Sequence, residues 1–288
     1  MLTLALAGAA FALPATMTGC KNDHAEAKIT MEYNGVSYVL EYTLYKNMYP
    51  QTVQHFIELA DNGFYNNTII HDCQSSNWYG GGYSYVDGEE DGSYATAYAN
   101  DGMFEYLNTT YKAGRTGAYA DLFNSGKLTP TVYRDVREGK LVDPYSTLIG
   151  EFTQNSHKIE NGALKNSYGA LKFYYTSISD DEGKRHVYLD KYGSAFGVQG
   201  EYRYNSATSL FTIQTGTSTS SDSTHCIFAT LNNADTLRSL REEVVKNSAY
   251  EDVEVYVYDE LLGNNKISAN YRLKEKPIIV KSVSITKY

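Results

Sequence analysis

His71, Asp72 and Cys73 stand side by side in the stretch PQTVQHFIELADNGFYNNTIIHDCQSSNWYGGG, Pro50 to Gly82. They are a histidine that can move a proton near neutral pH, a carboxylate that when ionised only accepts hydrogen bonds, and a thiol. An acid therefore follows His71 where a base would be looked for. The chain has three cysteines, Cys20, Cys73 and Cys226. An odd number without a Cys-x-x-Cys pair makes neither a zinc site nor a disulfide framework, and Cys73 and Cys226 read as buried thiols. The run DGEEDGS, Asp87 to Ser93, invites a calcium reading and fails it. Glu89 stands where Asp or Asn is needed, and Tyr98 where a bidentate Glu should be. It reads as an acidic turn. The serines near His225 lack a nucleophile elbow, and no triad, phosphate loop or metal set is present in the pattern. No cofactor and no metal are expected.

The elements that must position these residues can be traced along the chain. At 288 residues it suits one large domain or two small ones. A hydrophobic fraction of 42% with 28 tyrosines argues for a folded core. A net charge of -9 disfavours nucleic acid, whose phosphates need a basic surface. KITMEYNGVSYVLEYTLY alternates around Asn34-Gly35, a strong hairpin signal. Pro50 to Asn62 predicts a helix, with Pro in the first turn, Val53, Phe56, Ile57 and Ala60 on one face, and Gly63 just past the end. Phe64 to His71 predicts a strand.

From Tyr83 to about Thr147 the pattern weakens into Gly, Tyr, Asp and Ser. LIGEF introduces a strand, and GALKNSYGALKFYYTSI looks like two strands around a turn. Lys184 to Thr215 reads as two or three strands, and HCIFATL as a short buried one. NADTLRSLREEVVKN predicts a second helix, with Asn233 or Asp235 as N-cap and Leu237, Leu240 and Val244 buried. DVEVYVYDE and KPIIVKSVSI complete the strands. Many strands with two good helices point to an antiparallel barrel or sandwich. No fixed-period repeat supports a solenoid or propeller.

At the N-terminus, LTLALAGAAFALPATMTGC is an apolar run ending in small residues, like a secretory signal. MTGC resembles a bacterial lipobox, which would leave a diacylglyceryl Cys20 at the mature N-terminus. The expectation is a signal peptide over 1–19, a polar tether over 20–28, and a membrane-anchored, extracytoplasmic bacterial lipoprotein.

Three segments then line up with one family. Pro50, Thr52, Val53, Phe56, Leu59, Gly63, Tyr65 and His71, followed by Gly81-Gly82, resemble the cyclophilin signature P-x-T-V-x-N-F, G-Y-Y, H-R and Q-G-G-D. GEF at Gly150 to Phe152, GALKNS and KFYYT resemble the bacterial G-E-F, G-V-L-S-M-A and Q-F-F-I-T. DSTHCIFATL resembles D-G-K-H-x-x-F-G-x-V, and KPIIVKSVSI the terminal strand. The resemblance implies a mainly β fold over 29–288: an eight-stranded antiparallel closed barrel capped by two helices. Long loop insertions would fall at about 83–147, 177–219 and 248–274.

The resemblance also implies peptidyl-prolyl cis-trans isomerisation, with proline-containing peptide or protein segments as partners. The X–Pro bond is a partial double bond with a barrier of roughly 18–20 kcal/mol. The family lowers it with an apolar pocket for the ring and an arginine that donates to the proline nitrogen. Residue by residue, His71 matches, but the arginine position is Asp72. The pocket's Phe-Met pair falls at Asn77-Trp78, or at Trp78-Tyr79 with a one-residue slip. The glutamine before Gly-Gly is Gly80, and the Asp after it is Tyr83. Met-Ala-Asn becomes Asn166, Ser167 and Tyr168. The next glutamine is Lys172, the pocket phenylalanine Tyr174 and the pocket tryptophan Ser220. His225 matches. His71 reads as a structural barrel histidine. His225 reads equally as pocket wall or core, and Trp78 with Tyr79 as a peptide-stacking wall or a hydrophobic plug. Lys172 and Arg115 are the candidates to replace the missing cation. The implied function is a divergent isomerase of weak or lost activity, or a peptide- or partner-binding lipoprotein of the same fold.

Overall fold

A computed structural model describes residues 24–84, 118–129, 133–135, 140–141, 148–152, 164–174, 184–189, 198–203, 206–207, 209–216, 226–247, 249–259, 263–273 and 276–288. Cys20, Arg115, Ser220, His225 and the DGEEDGS run lie outside these residues.

The first two strands are β1 (Ala25–Tyr33) and β2 (Val36–Leu44), joined at Asn34-Gly35. Both turn residues have positive φ, 51° and 76°. That is the geometry which matches the twist of a two-residue hairpin. Alternate residues of β1, from Ala25 to Tyr33, are buried, the period of a strand with one face on a core. Helix α1 (Pro50–Asp61) comes next, as predicted. After it lie β3 (Thr68–Cys73), β4 (Asn77–Ser84), α2 (Ala118–Asn124), β5 (Tyr133–Asp135), β6 (Lys140–Leu141), β7 (Leu148–Ile149) and β8 (Leu171–Phe173). Then come β9 (Lys184–Leu189), β10 (Val198–Arg203), β11 (Ser206–Ala207), β12 (Phe211–Gln214), β13 (Ile227–Leu231), α3 (Ala234–Asn247), β14 (Tyr250–Asp259), β15 (Gly263–Leu273) and β16 (Ile278–Lys287).

Eight strands close an antiparallel barrel in the order β1-β16-β3-β4-β12-β8-β13-β2. Closure leaves no open edge in the barrel. The predicted mainly β barrel with few helices is therefore the observed fold. Inside it Phe56 packs against Phe228, Tyr65 and Phe173 at ring-centroid distances of 5.2, 5.6 and 6.4 Å. Ile57, Leu59 and Ile227 are buried as well.

Three details depart from expectation. The stretch 177–219 is not all insertion: β12, within it, is a barrel strand paired with both β4 and β8. Of the two strands expected in GALKNSYGALKFYYTSI, one short strand forms among the described residues, β8, preceded by a turn in which Gly169 has φ +79°. Asn233 does precede α3, but its Oδ1 accepts from the backbone N–H of Glu41 at 2.9 Å and its Nδ2 donates to the Val39 carbonyl at 2.8 Å. Its amide extends the ladder of β2, while its Nδ2 also reaches Thr236 Oγ1 in the first turn of α3 at 3.2 Å.

The insertions make their own order. β5, from the first, pairs with β9, from the second, in the sheet β10-β9-β5-β6. The first insertion also docks on α1, where Glu58 accepts from the Thr129 N–H at 2.7 Å. Tyr119 of α2 is fully buried, with its hydroxyl 3.5 Å from His55 Nε2. The third insertion is the two-stranded hairpin β14-β15.

Glu151, of the GEF stretch, caps α1 from outside. Tyr49, the N-cap, makes no side-chain cap bond, and the Thr52 N–H instead donates to Glu151 Oε2 at 2.8 Å. A carboxylate at a helix N-terminus meets both an orphan donor and the positive end of the helix dipole. Glu151→Ala is expected to cost about 1–2 kcal/mol, the upper range for loss of a cap. Glu151→Gln, which keeps an acceptor, should cost less. Urea midpoints at unchanged slope would show it, and equal midpoints for all three proteins would refute it.

Candidate functional site

β3 carries the site, and its shape comes from a bulge. Ile70 stands opposite Gly80 and Asp72 opposite Tyr79, so β3 advances two residues while β4 moves one, with His71 the extra residue. A bulge flips the alternation of a strand and re-aims the side chains beyond it. Asp72 thereby joins a row in register across four strands: Asp72 with Tyr79, Tyr79 with Thr212, Thr212 with Lys172. Residues directly opposite share a face of the sheet. Their neighbours Trp78, Ile213, Phe211 and Phe173 belong to the apolar core.

The face defined by that row is largely covered. Asp72 is 4% exposed, Thr212 2% and Lys172 7%. All six residues of β3 are buried, since one face meets the core and β15 packs against the strand. Asp72 has both carboxylate oxygens engaged: Gln74 Nε2 donates to Oδ2 at 2.8 Å, and the Tyr271 N–H of β15 donates to Oδ1 at 3.1 Å. Burial pushes its carboxyl above the usual carboxylate range, and the two hydrogen bonds pull it partly back. His71, 3% exposed, is pushed down to about 3 by burial, so its ring is neutral at ordinary pH. It is buried in the barrel wall.

Tyr79 and Tyr174, both half-buried, meet edge to face at 5.8 Å. Burial, helped by Tyr174 and the Asp72 charge, pushes the Tyr79 hydroxyl up to about 12. Trp78 is 2% exposed and lies in the core opposite Cys73 and Ile213. The stacking-wall reading therefore fails for Trp78, which is the plug, and Tyr79 alone of the two faces outward. Gly81 is required by close approach, and Gly80 is closely packed. A Cβ on Gly80 would sit 2.7 Å from Ile70 Cδ1, and one on Gly81, whose φ is +81°, 2.5 Å from the Ser209 carbonyl oxygen.

Three amide oxygens are buried without a hydrogen-bond donor among the described residues: Asn77 Oδ1 and Gln214 Oε1 on this face, and Asn166 Oδ1 before β8. Asn77 and Gln214 are register partners. Ser167 is half-buried in the turn before β8. Among the described residues the face is thus rich in acceptors and pairs no cation with Asp72. Lys172 is on the same row, but three strand spacings from Asp72, about 14 Å between Cα atoms.

The resemblance named Asp72, Tyr79, Lys172 and Tyr174 as groove positions and gave no signal for Tyr271, Gln74 or Gln214. Tyr271 lies 199 positions from Asp72. Its contact depends on a hairpin fold that no local pattern encodes.

Residues 28–259 match the family described as cyclophilin type peptidyl-prolyl cis-trans isomerase/CLD. No curated protein matches the chain. Among solved structures, the cyclophilin type peptidyl-prolyl cis-trans isomerase of Cryptosporidium parvum is similar at 14% identity and a TM-score of 0.44, over 92% of this chain and 99% of that one. The same enzyme in the presence of the dipeptide Ala-Pro is similar at 15% identity and a TM-score of 0.42, over 91% and 99%.

Proposed function

Because the chain belongs to the cyclophilin-type peptidyl-prolyl cis-trans isomerase family, we propose that it is an extracytoplasmic, membrane-anchored bacterial member whose isomerase activity is weak or lost. The family binds proline-containing peptides. The observation that supports the loss is the engaged, buried carboxylate of Asp72 at the position of the family's arginine. A carboxylate accepts hydrogen bonds, and the nitrogen of a twisting prolyl amide needs a donor. The test is a protease-coupled isomerase assay on a panel of Ala-Pro peptides, with Asp72→Arg alongside.

A second reading, a peptide- or partner-binding lipoprotein with no isomerase activity, is favoured by the buried acceptors Asn77, Gln214 and Asn166. They suit a ligand that brings N–H groups, not a bare proline ring. A background isomerase rate fits both readings, so binding of a proline-free peptide as tightly as its Ala-Pro counterpart is the result that would select this reading over the first.

The anchor rests on MTGC. A diacyl-type modification of Cys20 would hold the chain stably at a membrane surface. The full-length protein is expected to enter the detergent phase on partitioning, and Cys20→Ala to remain aqueous. Equal partitioning of both exported forms would remove the lipoprotein reading.

A further inference from the structure

The hairpin β14-β15 carries a feature that its own folding does not need. Glu251 pairs with Arg272 and Val253 with Ala269, so Asp252 alone faces both Asn270 and Tyr271. That is a bulge, and it takes Tyr271 out of the regular ladder. The freed Tyr271 N–H is the one that donates to Asp72 Oδ1. Asp72 itself is aimed outward by the bulge in β3 at His71. Two bulges in separate strands therefore meet in one hydrogen bond, between a buried carboxylate and a main-chain donor. Beside it, Tyr250 and Tyr271 meet edge to face at 5.7 Å while remaining 40% and 45% exposed. Two residues on, Leu273 is buried in the core and anchors the base of the hairpin. The hairpin thus has a fixed root at Leu273 and a polar catch at Tyr271.

We propose that the β14-β15 hairpin is an internal ligand of the barrel face, its Tyr271 N–H filling the Asp72 position, so that the face admits an extended peptide only when the hairpin lifts from Asp72. The ligand that displaces it is a peptide segment offering a main-chain N–H to the same carboxylate. This rests on the reading of that face as a peptide site. The catch is a hydrogen bond to a carboxylate, which makes it reversible. Removing its donor leaves Asp72 open to a competing N–H, and one charge-assisted hydrogen bond of this kind is expected to change affinity about tenfold.

The test uses the full chain and two probes: amide hydrogen exchange across β14 and β15, and anisotropy of a fluorescein-labelled Ala-Ala-Pro-Phe peptide. Tyr271→Pro removes the donor at a bulge, where proline is tolerated, and leaves Asp72 in place. The expected result is at least about tenfold faster exchange in the hairpin amides, unchanged protection in β1 and β16, and about tenfold tighter peptide binding than wild type. Asp72→Ala should lift the hairpin equally, without the gain in affinity, and reads the catch should Tyr271→Pro fail to fold. Unchanged hairpin exchange in both variants would overturn the proposal. A lifted hairpin with wild-type peptide affinity in Tyr271→Pro would also overturn it, while leaving the peptide site standing. A lifted hairpin with no peptide binding in any form would remove the peptide site as well.

Discussion

The wild-type chain is expected to isomerise an Ala-Pro peptide at close to the uncatalysed rate, roughly 10²–10³-fold below a family member that keeps its arginine. That range is the usual effect of losing one well-placed donor at a developing charge. Two reasons combine. Asp72 opposes the polarisation that twisting the prolyl amide requires, because it offers only lone pairs to a nitrogen lone pair. Asp72 is also occupied, by Gln74 and by the backbone of Tyr271, and stands 4% exposed. Asp72→Arg alone is expected to rescue little. An arginine there would lose both hydrogen bonds and meet the hairpin, and the pocket positions that the resemblance assigns to Asn166, Tyr174 and Ser220 would still be altered. Lys172 does not supply the missing charge, since the sheet register sets it about 14 Å away along the row. Turnover comparable to an ordinary cyclophilin would refute this reading, and Lys172→Ala would then be the first variant to make.

Phe56→Ala is expected to destabilise the chain by about 3–5 kcal/mol, the range for deleting a large aromatic side chain from a core. Phe56 is fully buried and joins the helix to the barrel through Tyr65, Phe173 and Phe228. These rings come from α1, the loop before β3, β8 and β13, so the cavity left behind is walled by separate elements and cannot collapse by moving one of them. Chemical denaturation should show a lower midpoint at unchanged slope. A loss below about 1 kcal/mol would mean that the site relaxes around the missing ring, and the barrel core would not be the close-packed interior that the geometry implies.

Much of the fold was legible because it is written locally. Asn34-Gly35 forces a hairpin through its positive φ, whatever surrounds it. Pro50 and the spacing of Val53, Phe56, Ile57 and Ala60 specify a helix with one buried face, and it runs from Pro50 to Asp61. The closed barrel was implied by ordered motifs rather than by any one of them. β12 was harder. Its four residues, Phe211–Gln214, are all buried, so they show no alternation by which a barrel strand could be told from an insertion.

The site divides along the same line. Which residue stands at position 72, and that it cannot donate when ionised, is a matter of covalent structure and needs no fold. Where that carboxylate points, and what it holds, was decided by tertiary structure. The bulge at His71 reverses the facing of Asp72, and register is a property of two strands, not of one. Trp78 went inward to Cys73 and Ile213 for the same reason, although with Tyr79 it read equally as a peptide-stacking wall. Asp72 meets its partner across 199 residues because a hairpin bulge frees the Tyr271 N–H. A backbone donor carries no side-chain signature, so only the folded chain could show that the acid at the arginine's position has a ligand of its own.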